Sequence, residues 1–129
     1  MPHTKNIDAE TDHTLQIVRR FSDAFNDHAV DRVMELMTDD CVFENTHPKP
    51  NGKRLEGSAA VRGYWQYLFR VSPKANFATE DLFAHRDRAV LRWRYTWQTT
   101  DGRTCHIRGV DLFRVRDGRV SEKLSYVKG

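Results

Sequence analysis

Three polar residues set in apolar surroundings are this chain's candidates for chemistry: Glu44 and Asn45 at the end of CVFEN, and Asp111 in RGVDLFRV. A glutamate at Glu44 has lone pairs to take a proton, whereas the Asn45 amide can orient a ligand oxygen but accepts no proton at useful pH. Neighbours on an extended strand point to opposite faces, so Asn45 facing the interior with Phe43 sends Glu44 outward with Val42. A bulge beside the loop HPKPNG, which Pro48, Pro50 and Gly52 break, would turn Glu44 inward instead. The expected arrangement has Asn45 at the edge of a pocket.

Asp111 lies between Val110 and Leu112, and on a period of two it shares a face with Ile107, Gly109 and Phe113. Two readings stay open. In one, an apolar site keeps the carboxyl neutral so that it donates to a ligand oxygen; in the other, it is a structural group bonded to Asn45 or a loop amide, because buried carboxyls need partners. The aromatic residues Phe21, Phe25, Tyr64, Trp65, Phe69, Trp93, Tyr95 and Phe113, with Trp97 and Tyr126, could line a pocket for a flat apolar ligand or pack on one another. His47, His85 and His106 have no metal-ligand spacing with each other or with a cysteine, so neither a metal nor a cofactor is expected. His47, beside Pro48, is expected in a solvated loop at the pocket mouth.

The elements that must position these residues follow from periodicity. After a polar, aperiodic tail through Thr11, Asp12 can cap a helix whose stripe is Leu15, Val18, Phe21 and Phe25. A short second helix puts Val30, Val33, Met34 and Met37 on one face and stops at Asp39-Asp40, before the strand CVFEN. Gly57-Ser58 opens a third helix, with Val61, Trp65 and Leu68 aligned, and Pro73 ends it. From Phe77 onward, runs rich in β-branched and aromatic residues are separated by RDR, TTDGR and RDG, which predicts a four-stranded antiparallel meander. In RAVLRWRYTWQ, Leu91, Trp93, Tyr95 and Trp97 alternate with Arg92, Arg94 and Thr96, giving one apolar and one basic face. Gly109 is a place for the third meander strand to bend.

At 129 residues the chain is one domain with one core, assigned to 12–129. The formal charge is +3 and the arginines are interspersed with acids, a weak footprint for nucleic acid. No apolar window is long enough to span a bilayer, and the N-terminal MPHTKNIDAETDH has no apolar signal core. With Cys41 and Cys105 in apolar runs, these features predict a cytoplasmic protein with reduced thiols.

Four stretches carry a family resemblance: QIVRRFSDAFNDHAVDRVMELMTDDCVFEN, EGSAAVRGYW, RGVDLFRVRDGRV and SEKLSYV. In that order and spacing, from about Thr14 to Gly129, the chain resembles the nuclear transport factor 2-like superfamily in its SnoaL-like and ketosteroid-isomerase-like branch. The resemblance implies an α+β cone, with three N-terminal helices packed into a curved, mainly antiparallel sheet. Ketosteroid isomerases in this fold use a general-base aspartate at the end of the first strand. Their oxyanion hole pairs a tyrosine of the first helix with a sheet aspartate held neutral by its apolar site. Here the sheet aspartate falls on Asp111, the base on Asn45 and the tyrosine on Phe21, so two of the three groups are missing. The resemblance therefore implies a pocket that binds or converts a small hydrophobic carbonyl, epoxide or polyketide-like compound, with Asp111 as polar anchor and without the usual isomerase mechanism. A non-catalytic ligand-binding or association protein is the alternative. It also implies a homodimer through the outer sheet face, which would carry Arg92, Arg94, His106, Arg108 and Arg114.

Overall fold

The structure is a computed structural model that describes residues 8–129. Helix α1 (Ala9–Asn26) starts three residues before Asp12, because the Asp8 carboxylate accepts from the Thr11 backbone N–H at 2.7 Å and caps the first turn. Thr11 is buried, so the expected tail ends earlier; its first seven residues lie outside the described part. The stripe Leu15, Val18, Phe21 and Phe25 is buried as its spacing requires.

Helix α2 (Val30–Glu35) is shorter than expected, and Met37 opens strand β1 (Met37–Glu44) while keeping its place in the core. A short strand missed in the sequence, β2 (Arg54–Glu56), pairs with the end of β1, and α3 (Ser58–Val71) follows. The meander is present as β3 (Asn76–His85), β4 (Arg88–Gln98), β5 (Thr104–Arg116) and β6 (Arg119–Val127). The six strands form one open sheet in the order β2-β1-β6-β5-β4-β3, antiparallel except where β1 runs parallel to β6. Val18, Phe21 and Phe25 of α1 and Trp65 of α3 pack with the inner sheet face in one core.

The β5–β6 hairpin decides what the inner face contains. Its turn, Asp117-Gly118, has φ of 54° and 76°, the left-handed pair that a two-residue hairpin needs. Arg116 pairs with Arg119 and Val115 with Val120, but the register then shifts and Arg114 pairs with Glu122. Ser121 is the extra residue of this bulge, and its hydroxyl donates to the Arg114 carbonyl at 3.2 Å. Beyond it Phe113 faces Lys123 and Asp111 faces Ser125. Without the shift, Glu122 and Leu124 would occupy the interior, because one residue of slip exchanges the two faces.

Gly109 serves close approach. A Cβ there would come within 2.7 Å of the Trp93 ring and 2.3 Å of the Tyr126 carbonyl, so the glycine gives Trp93, its cross-strand partner, room to lie over the strand.

Candidate functional site

A cavity of about 310 Å³ opens between α3, the inner sheet face and the loop after β1, within the size range of small-ligand sites. Five of the eight expected aromatic residues line it: Phe25, Tyr64, Trp65, Trp93 and Tyr95. Phe43, Phe77 and Trp97 complete the aromatic wall, so all three tryptophans of the chain face this space. Phe21 and Phe113 lie deeper, at 2% and 1% exposure, beside a cleft with room for about one water molecule. Phe69 does not reach the cavity; its ring stacks on His28 at 4.4 Å and meets Phe25 edge-on. Tyr126, counted with the aromatic set, is on the outer face and half-exposed.

The polar floor consists of Lys123, Ser125 and Asp111. Lys123 and Ser125 line the cavity, while Asp111 lies behind them on the deep cleft. The Ser125 hydroxyl donates to Asp111 Oδ1 at 2.6 Å, and Lys123 Nζ stands 3.2 Å from Asp111 Oδ2 and donates to Ser125 Oγ at 3.1 Å. Both side chains of the ion pair are almost fully buried, at 7% and 3% exposure. The ammonium also sits 4.6 Å from the centre of the Phe43 ring, a cation–π contact made stronger by desolvation. Asp111 thus has Ser125 and Lys123 as partners, not Asn45 or a loop amide: one oxygen accepts from Ser125 and the other faces the ammonium.

Asn45 faces inward at 7% exposure, and its side-chain carbonyl accepts from the Lys53 and His47 backbone N–H groups at 2.7 and 3.2 Å. That staples the proline loop shut and leaves the amide N–H₂ for the cavity side. Gly52 closes the same loop at φ 72°, where a Cβ would collide with the Asn45 backbone. Glu44 points away from the cavity toward Arg54, 3.6 Å distant, so the alternation of β1 persists to its end and no bulge turns this carboxylate inward. His47 lines the mouth.

Burial pushes the Tyr64 phenol above its ordinary pKa, partly offset by a hydrogen bond with the Asn45 side chain. Burial does the same to Tyr95, with Ser72 as its hydrogen-bond partner. Both phenols therefore remain protonated donors at neutral pH. The indole N–H groups of Trp65 and Trp93 are buried without an acceptor among the described residues. An aromatic chamber with a cationic floor and the Tyr64 and Tyr95 phenols in its wall can hold a flat ligand that carries an oxygen acceptor. Among the described residues no group of three or more His, Cys, Asp or Glu side chains is placed to hold a metal ion.

Residues 18–123 match the SnoaL-like domain model, which spans both faces of this cavity. The chain belongs to the SnoaL-like family. Structural likeness agrees: an NTF2-like protein of unknown function from Mesorhizobium loti is 40% identical, with a TM-score of 0.80 over 96% of this chain and 98% of that one. A protein from Jannaschia sp. CCS1 described as a SnoaL-like polyketide cyclase is 19% identical (TM-score 0.81, 97% and 92% covered). One from Kribbella flavida described as a ketosteroid isomerase is 21% identical (TM-score 0.75, 93% and 81% covered). At those identities the two share the fold with this chain. No functionally curated protein matches it.

In this SnoaL-like chain, sequence reasoning missed Lys123 and Ser125. On a simple alternation SEKLSYV assigns Leu124 and Tyr126 to the core, and the hairpin DG without a bulge gives the same answer. The bulge at Ser121 that reverses this assignment shows only in the register between β5 and β6.

Proposed function

We propose that this SnoaL-like protein binds, and in the fuller form of the reading converts, a small hydrophobic carbonyl, epoxide or polyketide-like compound in the 310 Å³ cavity. Asp111 is the polar anchor, acting through Ser125 and Lys123, which face the ligand. The observation that carries this reading is the buried Asp111–Ser125–Lys123 cluster at the floor of an otherwise aromatic chamber, because such groups are costly to bury and persist where they are paired or used. Ketosteroid isomerisation by the usual route is not proposed, since Asn45 and Phe21 stand where its base and tyrosine would.

Because Trp65, Trp93 and Trp97 all line the cavity, intrinsic fluorescence reports its occupancy directly. Titration with 2-acetylnaphthalene should give saturable quenching that weakens at least threefold in Ser125→Ala, with product formation followed separately by NMR. A series of such compounds that produces no saturable change would defeat the reading.

A second reading is favoured by the outer sheet face, where Phe83 and Tyr126 are 55% and 51% exposed. Val90, Leu112 and Leu124 form a row across three strands between them. We propose that two copies pair there, the arginines at its margin meeting acids of the other copy. Tyr126→Asp should then shift sedimentation from dimer to monomer; a wild-type chain that sediments as a monomer at high concentration refutes the pairing. Two cysteines without a disulfide fit a reducing cytoplasm. No helix of the described residues is long and apolar enough to cross a membrane.

A further inference from the structure

The rim of the cavity is a surface that none of the preceding roles uses. Three stretches surround the mouth, 45–53, 64–75 and 95–107, and each contributes residues to the cavity lining. Between them they carry Lys49, Lys53, Arg70, Lys74 and Arg103 but a single acid, Asp101. The rest of the chain is left with 16 lysines and arginines against 17 acids, so the whole net positive charge sits at this end. Asp101 is already paired with Arg103 at 3.1 Å, whereas Lys49, Lys53, Arg70 and Lys74 have no ion-pair partner among the described residues. Apolar side chains stand between these cations. Helical spacing puts Tyr67 and Val71 on the flank of α3 that carries Tyr64 and Leu68, both of which line the cavity. Tyr67 and Val71 are 51% and 52% exposed, and the Arg70 guanidinium lies over the Tyr67 ring at 5.7 Å. Trp97 and Ile107 on the sheet side of the opening are half-buried. Phe83 and Tyr126, the other exposed large apolar residues, belong to the outer sheet face, so the rim is separate from the proposed pairing surface.

We propose that this rim docks on an anionic lipid bilayer, with Tyr67, Val71 and Trp97 at headgroup depth and Lys49, Arg70 and Lys74 against the acidic headgroups. It is a contact with the surface and not a crossing. Tyrosine and tryptophan favour that depth because the ring leaves water while the O–H or N–H keeps a polar partner, and lysine and arginine stems lie along apolar surface with their charges outward. Cations gathered at one end, on a chain otherwise near neutrality, turn the molecule mouth first as it approaches a negative surface. An acidic protein would meet the same charges. Exposed tyrosine and valine beside an open apolar chamber favour the partner that is apolar just beneath its charged layer. Docked in this way, the mouth abuts the hydrocarbon boundary, and a hydrophobic compound dissolved there reaches the chamber without crossing water. Such docking goes beyond the small-ligand reading and does not depend on which compound the chamber takes.

Co-sedimentation with vesicles tests this. The wild type should partition at least about tenfold more strongly onto phosphatidylcholine vesicles containing about three-tenths phosphatidylserine than onto phosphatidylcholine alone. Raising the salt from about 0.1 to about 1 M shrinks the Debye length from about 10 to about 3 Å and should abolish that difference. Arg70→Glu with Lys74→Glu should weaken binding at least about tenfold. Arg19→Glu with Arg20→Glu makes the same change of charge on the exposed face of α1 and should weaken it less than about threefold. Tyr67→Ser with Val71→Ser leaves every charge in place and should weaken it at least about fivefold. All six positions are exposed, so the variants keep the fold, which thermal melts verify. No preference for the anionic vesicles, an equal loss from the α1 pair, or undiminished binding by the serine pair overturns the proposal. Binding to poly-L-glutamate without binding to vesicles overturns it too and assigns the rim to an acidic protein. No small ligand is present in these mixtures, so their outcome stands apart from the quenching titration, whose failure strikes the cavity reading alone.

Discussion

Replacing Lys123 by Met keeps the length and most of the volume of the side chain while removing its charge, so it isolates what the ammonium does for Asp111. The carboxylate that remains has 3% exposure and one hydrogen bond, from Ser125 at 2.6 Å. Breaking a buried ion pair by removing one partner costs about 3–5 kcal/mol, most of it the desolvated charge left behind. For a domain of this size that corresponds to a fall of roughly 11–18 °C in Tm. Asp111→Asn should be similarly costly, because it strands the ammonium between Phe43 and Phe25. The double variant removes both charges and should lie within about 2 kcal/mol of the wild type, giving a coupling energy of at least about 4 kcal/mol. Urea unfolding of the four proteins closes the cycle. A Lys123→Met cost under about 1 kcal/mol, or additive single effects, would show that Asp111 is not a charge dependent on this lysine. The charge argument for the cavity floor would then fail with it.

Gly109→Ala forces a Cβ into the Trp93 ring and the Tyr126 carbonyl, so urea unfolding should show a loss of about 1–3 kcal/mol, with a changed tryptophan emission that reports a displaced cavity wall. Gly52→Ala places a side chain at φ 72° and against the Asn45 backbone; it should open the loop and raise the exchange rates of the Lys53 and His47 amides, leaving those of the β4–β5 ladder unchanged. The Glu80 carboxylate is held below its usual range by its hydrogen bond with Arg108, with the charges of Arg108, Arg92 and Arg94 assisting. Its contribution to stability is therefore present above the ordinary glutamate range and is lost as pH falls through the depressed value. Glu80→Gln should flatten the acid limb of a stability–pH profile and leave the neutral-to-alkaline limb parallel to the wild type.

The inward set of β4 was legible because Leu91, Trp93, Tyr95 and Trp97 alternate with arginines, and strand geometry converts that alternation into two faces without further information. The α1 stripe and the inward Asn45 followed from the same kind of local rule. The start of α1 did not, because Asp8 and Asp12 can both cap and the choice depends on burial of Thr11, whose hydroxyl accepts from the Arg86 backbone N–H at 2.8 Å, far along the chain. Strand β2 was hidden for a related reason: three residues carry no periodicity, and only pairing with β1 makes them a strand.

The candidate site divides along the same line. That Asp111 is buried on the inner face could be read from Ile107, Gly109 and Phe113, which share its face, since period two is a property of one strand. Which residues stand opposite Asp111 depends instead on the register between strands, and there a single bulged residue, Ser121, exchanges Leu124 for Ser125 and Glu122 for Lys123. Sequence thus determined the aromatic chamber and its acid, whereas tertiary pairing alone placed a lysine and a serine beside that acid, because register is fixed by contacts between strands and not by the order of residues within one.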